Sequence, residues 1–526
     1  MASTYATPGV YINGASAQAA SVVPVATAVP AFIGYTPRAV SQGQPCYNQA
    51  VKVSSFAEFQ ACFMLDNPPP PADPARQYSP EYYLVAQKEQ PASGDYLAID
   101  GVYYSVLPDP ATLYYLYNSI RLFYQNGGGD AYIVAVGPYG PASKQPASSP
   151  TAQLINPNVQ LADLQRGLAT LLNQPEPTLY ICPEATLLTV ADNAALMQGM
   201  LLQAEEMGTV LCVFDIIGGA NPDPVRYTQD IQAFRSNTGN NGLNYGTCYY
   251  PFIGTTIMQQ GDIDFTNLFG GDTAQLAALI NPPAAPNAAV ATLLGMINEP
   301  PANPMSNSQL QDALLNASPL YGQIVNHVLT CANVLPASGA MAGVYTLNDN
   351  THGVWNAPAN MSIVGAASLP INLSDQQQAN LNVDPVSGKS INAIRFFTGQ
   401  GILIWGARTL DGNSQDWRYV PVRRTVTFLE QSIKLAVRAL AFEPNNANTW
   451  AAVKTMITSF LTNIWKQGGL QGTALADAFQ VSVGLGSSMM ADDLLNGYLG
   501  VTVEVAVARP AEFIVITFQQ QQAASG

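Results

Sequence analysis

Charged side chains are scarce in this 526-residue chain. They make up 10% of the residues, whereas soluble globular domains have roughly 25%. A monomer with so little surface charge would be poorly soluble, so the composition favours a protein that buries much of its surface against copies of itself. The net charge of −15 argues against nucleic acid as the main partner, because phosphate binding needs clusters of Lys and Arg.

Histidines and paired cysteines are also few. His327 and His352 are the only histidines, and the six cysteines are scattered without a CxxC pair. A His/Cys metal site would have to be assembled from distant parts of the chain. We therefore predict no metal and no cofactor, and we expect the cysteines to be free thiols.

Long apolar runs and secretory features are missing as well. No run reaches the roughly 18 apolar residues that span a bilayer. The first nine residues lack the basic and apolar regions of a secretory signal. The sequence thus predicts synthesis and assembly in a cytoplasm, without direct insertion into a membrane.

Catalytic motifs are incomplete. The Gly388-Lys389-Ser390 triplet has Val383 where a phosphate-binding loop needs glycine. Asp215 ends an apolar strand, where α/β enzymes place catalytic carboxylates. With two histidines and no GxSxG elbow, Asp215 is expected to cap or hydrogen-bond a neighbouring turn. We predict that the chain is not an enzyme.

The residues that are present predict an α/β fold with a mainly parallel, helix-covered sheet. Apolar residues make up 48% of the chain, which is ample for large cores. Buried strands alternate with stretches of helical periodicity. Helices are predicted at residues 112–125, 161–172, 190–207, 422–442 and 449–467, and strands at 21–34, 131–136, 178–182, 210–217 and 249–253.

Both ends of the chain carry short apolar strands without an obvious partner of their own. Termini fray unless something holds them, and an unpaired strand edge is a template for another chain. Two such ends on one subunit indicate a polymer. The residues predicted to form strands between subunits are Val10, Tyr11, Ile12, Val501, Val503, Val505, Phe513 and Val515.

The stretch from residue 335 to 444 resembles the contractile tail sheath family strongly. Its blocks include Gly353-Val354-Trp355-Asn356, Asn392-Ala393-Ile394-Arg395, Trp405-Gly406-Ala407-Arg408, Asp416-Trp417-Arg418-Tyr419 and Phe442-Glu443-Pro444. Pro8-Gly9-Val10-Tyr11, residues 123–136 and Pro510-Ala511-Glu512-Phe513 also match. The resemblance covers the whole chain except two stretches at about 63–110 and 257–335. These two are predicted to be insertions, and the sequence does not give their fold.

This resemblance implies a domain organisation. Residues 1–22 would form an N-terminal arm with an exchanged strand. Residues 23–62 and 336–526 would form the tube-facing core domain with extended terminal strands, and residues 63–335 an α/β middle domain with the two insertions. Within the core, Trp355, Trp405 and Trp417 are expected to fill the interior, together with the landmark Arg395. Arg408 is expected to be a buried fork between turn carbonyls and Asp416.

Nine of the twenty basic residues lie between Arg395 and Lys466. They either form internal salt bridges or present a face to an acidic partner. The resemblance implies that the helix near Lys434 and Arg438 contacts an acidic inner tube, so these two residues are the candidate tube contacts.

The sequence therefore predicts a structural sheath subunit of a contractile injection system. Its expected partners are itself as a helical homopolymer, an inner tube protein, baseplate and cap proteins, and any sheath paralogues. The particle would be a phage tail, an extracellular injection system or a type VI apparatus, and similarity in residues 382–419 favours the extracellular class. The alternatives are a non-contractile shell or surface-layer protein and, less favoured, an α/β enzyme.

Overall fold

The computed structural model describes residues 21–65, 80–91, 96–220 and 225–513. The chain divides into two compact units. The larger, called the sheet unit, comprises residues 26–427 and resumes at residue 509. The smaller, called the hairpin unit, comprises residues 428–508 and the described residues 21–25.

Seventeen strands belong to the sheet unit. They are β1 (Pro30–Gly34), β2 (Val40–Ser41), β3 (Gln44–Pro45), β4 (Ala50–Val53), β5 (Tyr82–Gln87), β6 (Tyr96–Ile99), β7 (Val102–Pro108), β8 (Ala131–Ala135), β9 (Leu179–Ile181), β10 (Leu211–Asp215), β11 (Gly246–Tyr250), β12 (Ile253–Thr255), β13 (Val334–Leu335), β14 (Met361–Ser362), β15 (Ala366–Ser368), β16 (Asn392–Phe397) and β17 (Gly401–Trp405). These are the strands of the described residues only.

The helices of the sheet unit, again within the described residues, follow in chain order. They are α1 (Phe56–Phe63), α2 (Leu116–Gln125), α3 (Leu161–Thr170), α4 (Val190–Met207), α5 (Tyr227–Asn237), α6 (Thr273–Ile280), α7 (Ala288–Asn298), α8 (Asn307–Ala317), α9 (Pro319–Ala332), α10 (Ser338–His352), α11 (Asp375–Asn382) and α12 (Val420–Arg438), the last of which continues into the hairpin unit.

A nine-stranded sheet organises the larger unit, in the order β14-β17-β16-β11-β10-β9-β1-β8-β4. The strands from β16 to β8 pair in parallel, whereas β4, β17 and β14 pair antiparallel at the two sides. Parallel strands need crossover connections, and helices supply most of them. The predicted α/β class with a mainly parallel sheet is confirmed.

Both faces of this sheet are buried. In β1, Phe32 packs into the core beneath α2 and α10, while Ala31 and Ile33 pack on the opposite face against residues of α3 and α4. Side chains alternate between the faces of a strand, so an apolar run such as Pro30–Gly34 serves two cores at once. This is why the strand reads as continuously apolar.

The two-unit division differs from the domain boundaries expected from the sequence. Strands from all three expected segments, for example β1, β9 and β16, share the nine-stranded sheet. The boundaries at 62/63 and 335/336 therefore fall inside the sheet unit. Sheet pairing between distant segments cannot be read from matching blocks of sequence along the chain, which is what suggested those boundaries.

The hairpin unit is small and mixed. Its remaining elements are α13 (Ala447–Lys466), α14 (Leu475–Ala478), β18 (Phe479–Val483), α15 (Ala491–Leu495) and β19 (Val501–Val505). Its core is the apolar face of α13, where Phe460 meets Phe428 with ring centroids 6.0 Å apart. Within the described residues, no helix of either unit combines the length and apolarity needed to cross a membrane.

Candidate assembly interface

Strands β18 and β19 form an antiparallel pair in the hairpin unit. Their register places Val481 opposite Val503, and Val483 opposite Val501. Along β19, Val501, Val503 and Val505 are half-buried, and the intervening Thr502 and Glu504 are exposed. This alternation is typical of a strand with one face on a core. The strand predicted at the C-terminal end is thus present. It pairs with β18 of its own chain, so the expectation that Val501, Val503 and Val505 have no partner in their own subunit is wrong.

The outer edges of this hairpin are unpaired along β18 and β19, as far as the described residues extend. Pairing continues only beyond β19, where the N–H of Gln471 donates to the carbonyl oxygen of Ala506 (2.7 Å). Natural proteins usually cover or charge such edges. A two-stranded sheet is marginal by itself, so the addition of further strands would stabilise it.

The other predicted exchange residues lie at or beyond the ends of the description. Val10, Tyr11, Ile12 and Val515 are outside the described residues. Phe513 is the last described residue, and its side chain is 70% exposed. Their pairing therefore stays a prediction.

The basic stretch resolves into two groups. Arg395, Arg408, Arg423 and Arg424 are buried. Arg395 contacts Asp375, Arg424 contacts Asp349, and the guanidinium of Arg423 lies 4.2 Å from the centroid of the Trp417 ring. For this group the internal role, which the sequence left open, is confirmed.

Lys434 and Arg438 belong to the second group. Both are exposed on α12, one helical turn apart and hence on the same face. Two exposed apolar residues accompany them: Leu435 is 52% exposed, and Phe442, just beyond the helix, is fully exposed. This part of α12 offers positive charge together with apolar surface.

Arg408 does not bind Asp416, so that expectation is wrong. Asp416 is 81% exposed and lies 3.8 Å from Arg509. Arg408 instead forms a bidentate pair with Glu512, with Nε to Oε1 at 2.8 Å and Nη2 to Oε2 at 2.6 Å. The two residues are 104 positions apart, and the sequence offered only one signal, a lone carboxylate within the Pro-Ala-Glu-Phe block.

The three landmark tryptophans do not fill the core. Trp405 is 39% exposed, with its ring centroid 4.5 Å from that of Phe397. Trp355 and Trp417 are half-buried. Trp355 covers Gly353, whose φ of +92° and close ring contact leave no room for a side chain. These rings pack over turns and a sheet edge because the interior is filled by the strands of the large sheet.

Residues considered for catalysis have structural roles. Asp215 accepts the N–H groups of Ala337 and Ser338 (2.9 and 3.0 Å) at the start of α10, as the capping interpretation predicted. Burial raises its pKa to about 6. Lys389 is buried and donates to the carbonyl oxygen of Arg235 (2.5 Å), so its ammonium group does not face a phosphate site.

A second buried carboxyl was missed by sequence reasoning. Glu184 follows β9, is fully buried, and accepts the N–H of Leu116 at the start of α2 (2.9 Å). Burial raises its pKa to about 8, against the opposing effect of that backbone hydrogen bond. Glu184 and Asp215 thus hold the first turns of α2 and α10, two helices that pack against each other.

A cavity of about 800 Å³ in the sheet unit is the space an enzyme could use. Its walls are mainly apolar, with Tyr82, Met197 and Phe252 among them, and its charged residues are Arg226 and Asp230. Within the described residues no group of His, Cys, Asp and Glu has metal-binding geometry. All six cysteines are free thiols, as predicted.

The comparisons with known proteins find similarity to tail sheath proteins. Residues 413–521 match the family model of the phage tail sheath C-terminal domain. A stretch of 139 residues is 28% identical to the tail sheath protein of Vibrio phage KVP40; it covers 26% of this chain and about a fifth of that relative's length, 20%.

Two solved structures share the fold along almost the whole chain. The PVC sheath of an extracellular contractile injection system, in its contracted state, is 23% identical, with a TM-score of 0.57 and 99% of each chain covered. The contracted helical sheath of the anti-feeding prophage is 24% identical, with a TM-score of 0.57 and coverage of 98% of this chain and all of the other (100%). The C-terminal part thus carries the tail sheath domain, and the whole chain has the fold of contractile sheath proteins.

Proposed function

We propose that this chain is the sheath subunit of a contractile injection system, which polymerises around an inner tube and contracts to drive that tube through a target envelope. The observation that carries the proposal is the β18–β19 hairpin, whose outer edges have no partner strand among the described residues. It lies in the segment that matches the tail sheath domain.

Strand addition explains how such a subunit polymerises. A strand donated to an exposed sheet edge gains main-chain hydrogen bonds. Contacts between two different patches of each subunit do not close on themselves and generate helical filaments. We infer that Val10–Ile12 of one neighbour and residues 513–515 of another pair with the hairpin edges. The work of contraction is stored in the assembly, so the chain needs no catalytic site.

The extracellular class is the one we favour. Full-length fold similarity to the PVC and anti-feeding prophage sheaths supports it, and a further similar structure is an anti-feeding prophage baseplate. The proposed partners are other sheath subunits, an inner tube protein, a baseplate, a cap and any sheath paralogues. The particle would assemble in the cytoplasm and act after release.

Negative-stain electron microscopy of the purified full-length protein, alone and with a tube protein, tests the proposal. Hollow striated tubes are expected. Flat arrays would favour the shell or surface-layer alternative. Monomers that stay dispersed at high concentration in the presence of tube protein would overturn the sheath function.

The exposed end of α12 is the proposed tube-facing surface. Lys434 and Arg438 supply two positive charges beside Leu435 and Phe442. An acidic surface with apolar patches would complement this composition, and complementary charge chiefly steers association and fixes its register. The buried arginines of the same stretch are already paired inside the sheet unit and are not available to a tube.

Charge reversal tests whether this surface makes a specific contact with the tube or contributes only a general electrostatic attraction. The double variant Lys434→Glu/Arg438→Glu should reduce tube capture at least tenfold at moderate salt, on the order expected for two interfacial charges. The double variant Lys454→Glu/Lys466→Glu makes a comparable change of charge on exposed positions of α13 and should retain capture. Equal losses in both variants would contradict a specific contact.

A further inference from the structure

After β19 the chain enters the sheet unit again at residue 509. The carboxylate of Glu512 binds this segment to the rest of the unit. Glu512 accepts five hydrogen bonds through its two oxygens from three side chains, since Arg408 Nε donates to both oxygens. Arg408 donates through Nε and Nη2, Asn382 donates from Nδ2 to Oε1 (2.7 Å), and the Tyr419 hydroxyl donates to Oε2 (3.0 Å). Residues 382, 408, 419 and 512 all belong to the sheet unit.

The Arg408 side chain and backbone, which bind this carboxylate, are themselves held by burial and hydrogen bonds. The side chain of Arg408 is 3% exposed. Its backbone N–H donates to Asn392 Oδ1 (2.7 Å), and its carbonyl oxygen accepts from Thr247 (2.9 Å). Nη1 donates to the carbonyl oxygen of Asn382 (3.1 Å). Without Glu512, a buried guanidinium would lack its counter-charge, which is costly. The site is therefore built to hold a carboxylate.

Residues on either side of Glu512 are held far more weakly. Before it, Arg509 donates to the carbonyl oxygen of Gln415 (2.8 Å) from an exposed position. After it, Phe513 is 70% exposed. Among residues 509–513, Glu512 is thus the one with a buried charged partner. It stands immediately before the apolar sequence Phe-Ile-Val-Ile-Thr-Phe.

We propose that Arg408, Asn382 and Tyr419 form a carboxylate clamp that holds Glu512 and sets the register of the exchanged C-terminal strand. The inference rests on the proposed sheath function. Because side chains alternate along a strand, a slip of one residue would turn Phe513 and Val515 to the opposite face of the recipient sheet. Because Glu512 is held one residue before the strand begins, the strand cannot slip by one residue. The strand is then anchored to the sheet unit, not to the hairpin unit from which the chain has just emerged.

Variants of Glu512 test the clamp from the surface end of the pair, where this side chain is 19% exposed. Glu512→Gln keeps the shape and removes the charge. Glu512→Asp keeps the charge and shortens the reach. Asp375→Asn is the matched control: it removes a 2.7 Å contact to another buried arginine, Arg395, that does not involve the C-terminal segment.

Two measurements on the full-length protein decide the outcome. The first is the rate at which thermolysin cuts the bond before Phe513 in unassembled subunits, followed by mass spectrometry. Hydrogen bonds to a charged group hold the closed form, so Glu512→Gln should speed this cut roughly tenfold to a hundredfold, and Glu512→Asp less. The second is the fraction of ordered tubes in electron micrographs, which should fall for Glu512→Gln and stay unchanged for Asp375→Asn.

The results distinguish the clamp from the sheath function. Faster cleavage together with loss of ordered tubes supports both. Faster cleavage in a protein whose wild type forms no tubes would reject the sheath function and retain the clamp. Unchanged cleavage in Glu512→Gln, or equally ordered tubes from it, would overturn the clamp as a register-setting device.

Discussion

At the scale of single residues, several of the few charges of this chain are buried and paired within it. Arg424 and Asp349 form a bidentate pair with Nη1–Oδ1 at 3.0 Å and Nη2–Oδ2 at 2.5 Å, and each side chain is 4% exposed. The same groups hold Thr27, whose hydroxyl donates to Asp349 and whose carbonyl oxygen accepts from Arg424. One ion pair thus ties together three distant parts of the sheet unit.

Breaking the Arg424–Asp349 pair should lower the free energy of unfolding substantially. Asp349→Asn leaves the Arg424 guanidinium buried without a counter-charge, and we expect a loss of about 3–5 kcal/mol in the free energy of unfolding. Asp375→Asn removes a contact from a carboxylate that is 95% exposed and should cost under about 1 kcal/mol. Urea denaturation of both variants measures the difference. Equal losses would contradict the role of burial.

The buried Glu184 predicts a specific pH dependence. Its pKa is raised by burial to about 8 in the folded protein, against about 4.3 in an unfolded chain. The folded state therefore holds a proton that the unfolded state releases. The associated stability is full below the unfolded pKa and is lost as pH rises through the folded pKa.

Between pH 6.5 and 8, stability should therefore fall by up to about 1.4 kcal/mol per pH unit. Glu184→Gln should flatten this slope, because an amide does not titrate. Asp215→Asn is the control, since the pKa of Asp215 is about 6 and its titration is nearly complete below this window. Thermal unfolding across the pH range provides the measurement, and an unchanged slope in Glu184→Gln would disprove the assignment.

At the scale of elements, local sequence signals located about half of the long helices and strands, and the 15-residue helix α10 was not among them. Apolar periodicity predicted α2, α4 and α13 to within a few residues, and Ser55 caps α1 by accepting the N–H of Glu58 (3.2 Å). Sheet order, the Glu512–Arg408 pair and the burial of Glu184 could not be predicted. Each depends on contacts between residues far apart in sequence, for which a periodic pattern carries no information.

Two glycines of helices illustrate how packing overrides propensity. A Cβ on Gly339 of α10 would lie 2.5 Å from the backbone oxygen of Ser119 in α2, whereas one on Gly295 of α7 meets nothing within 4 Å. Gly339→Ala should thus destabilise the protein by about 1–3 kcal/mol through overpacking. Gly295→Ala should stabilise it by up to about 1 kcal/mol through helix propensity. Chemical denaturation gives both values, and a neutral Gly339→Ala would show that the two helices can separate.

At the scale of the whole molecule, the chain crosses between its two units at residues 25/26, 427/428 and 508/509. Within the sheet unit, a residue close to each of these three boundaries makes a buried contact. Thr27 and Arg424 share Asp349, and Glu512 binds Arg408. Arg408 and Arg424, which belong to the basic stretch of the sequence, thus bind chain segments of the sheet unit next to these boundaries.

The N-terminal arm provides the test of polymerisation at this scale. Removing residues 1–14 should leave the subunit folded and abolish ordered, contraction-competent tubes. Val10, Tyr11 and Ile12 favour strands, and a strand donated to a neighbour contributes little to the core of its own subunit, while its loss leaves the recipient's hairpin edge unpaired.

Removing only residues 1–4, ahead of the predicted strand, is the control. Circular dichroism and thermal melting report on the fold, and electron microscopy reports on assembly. Normal extended tubes from the longer deletion would contradict strand exchange, because the hairpin edge would then be covered by some other segment.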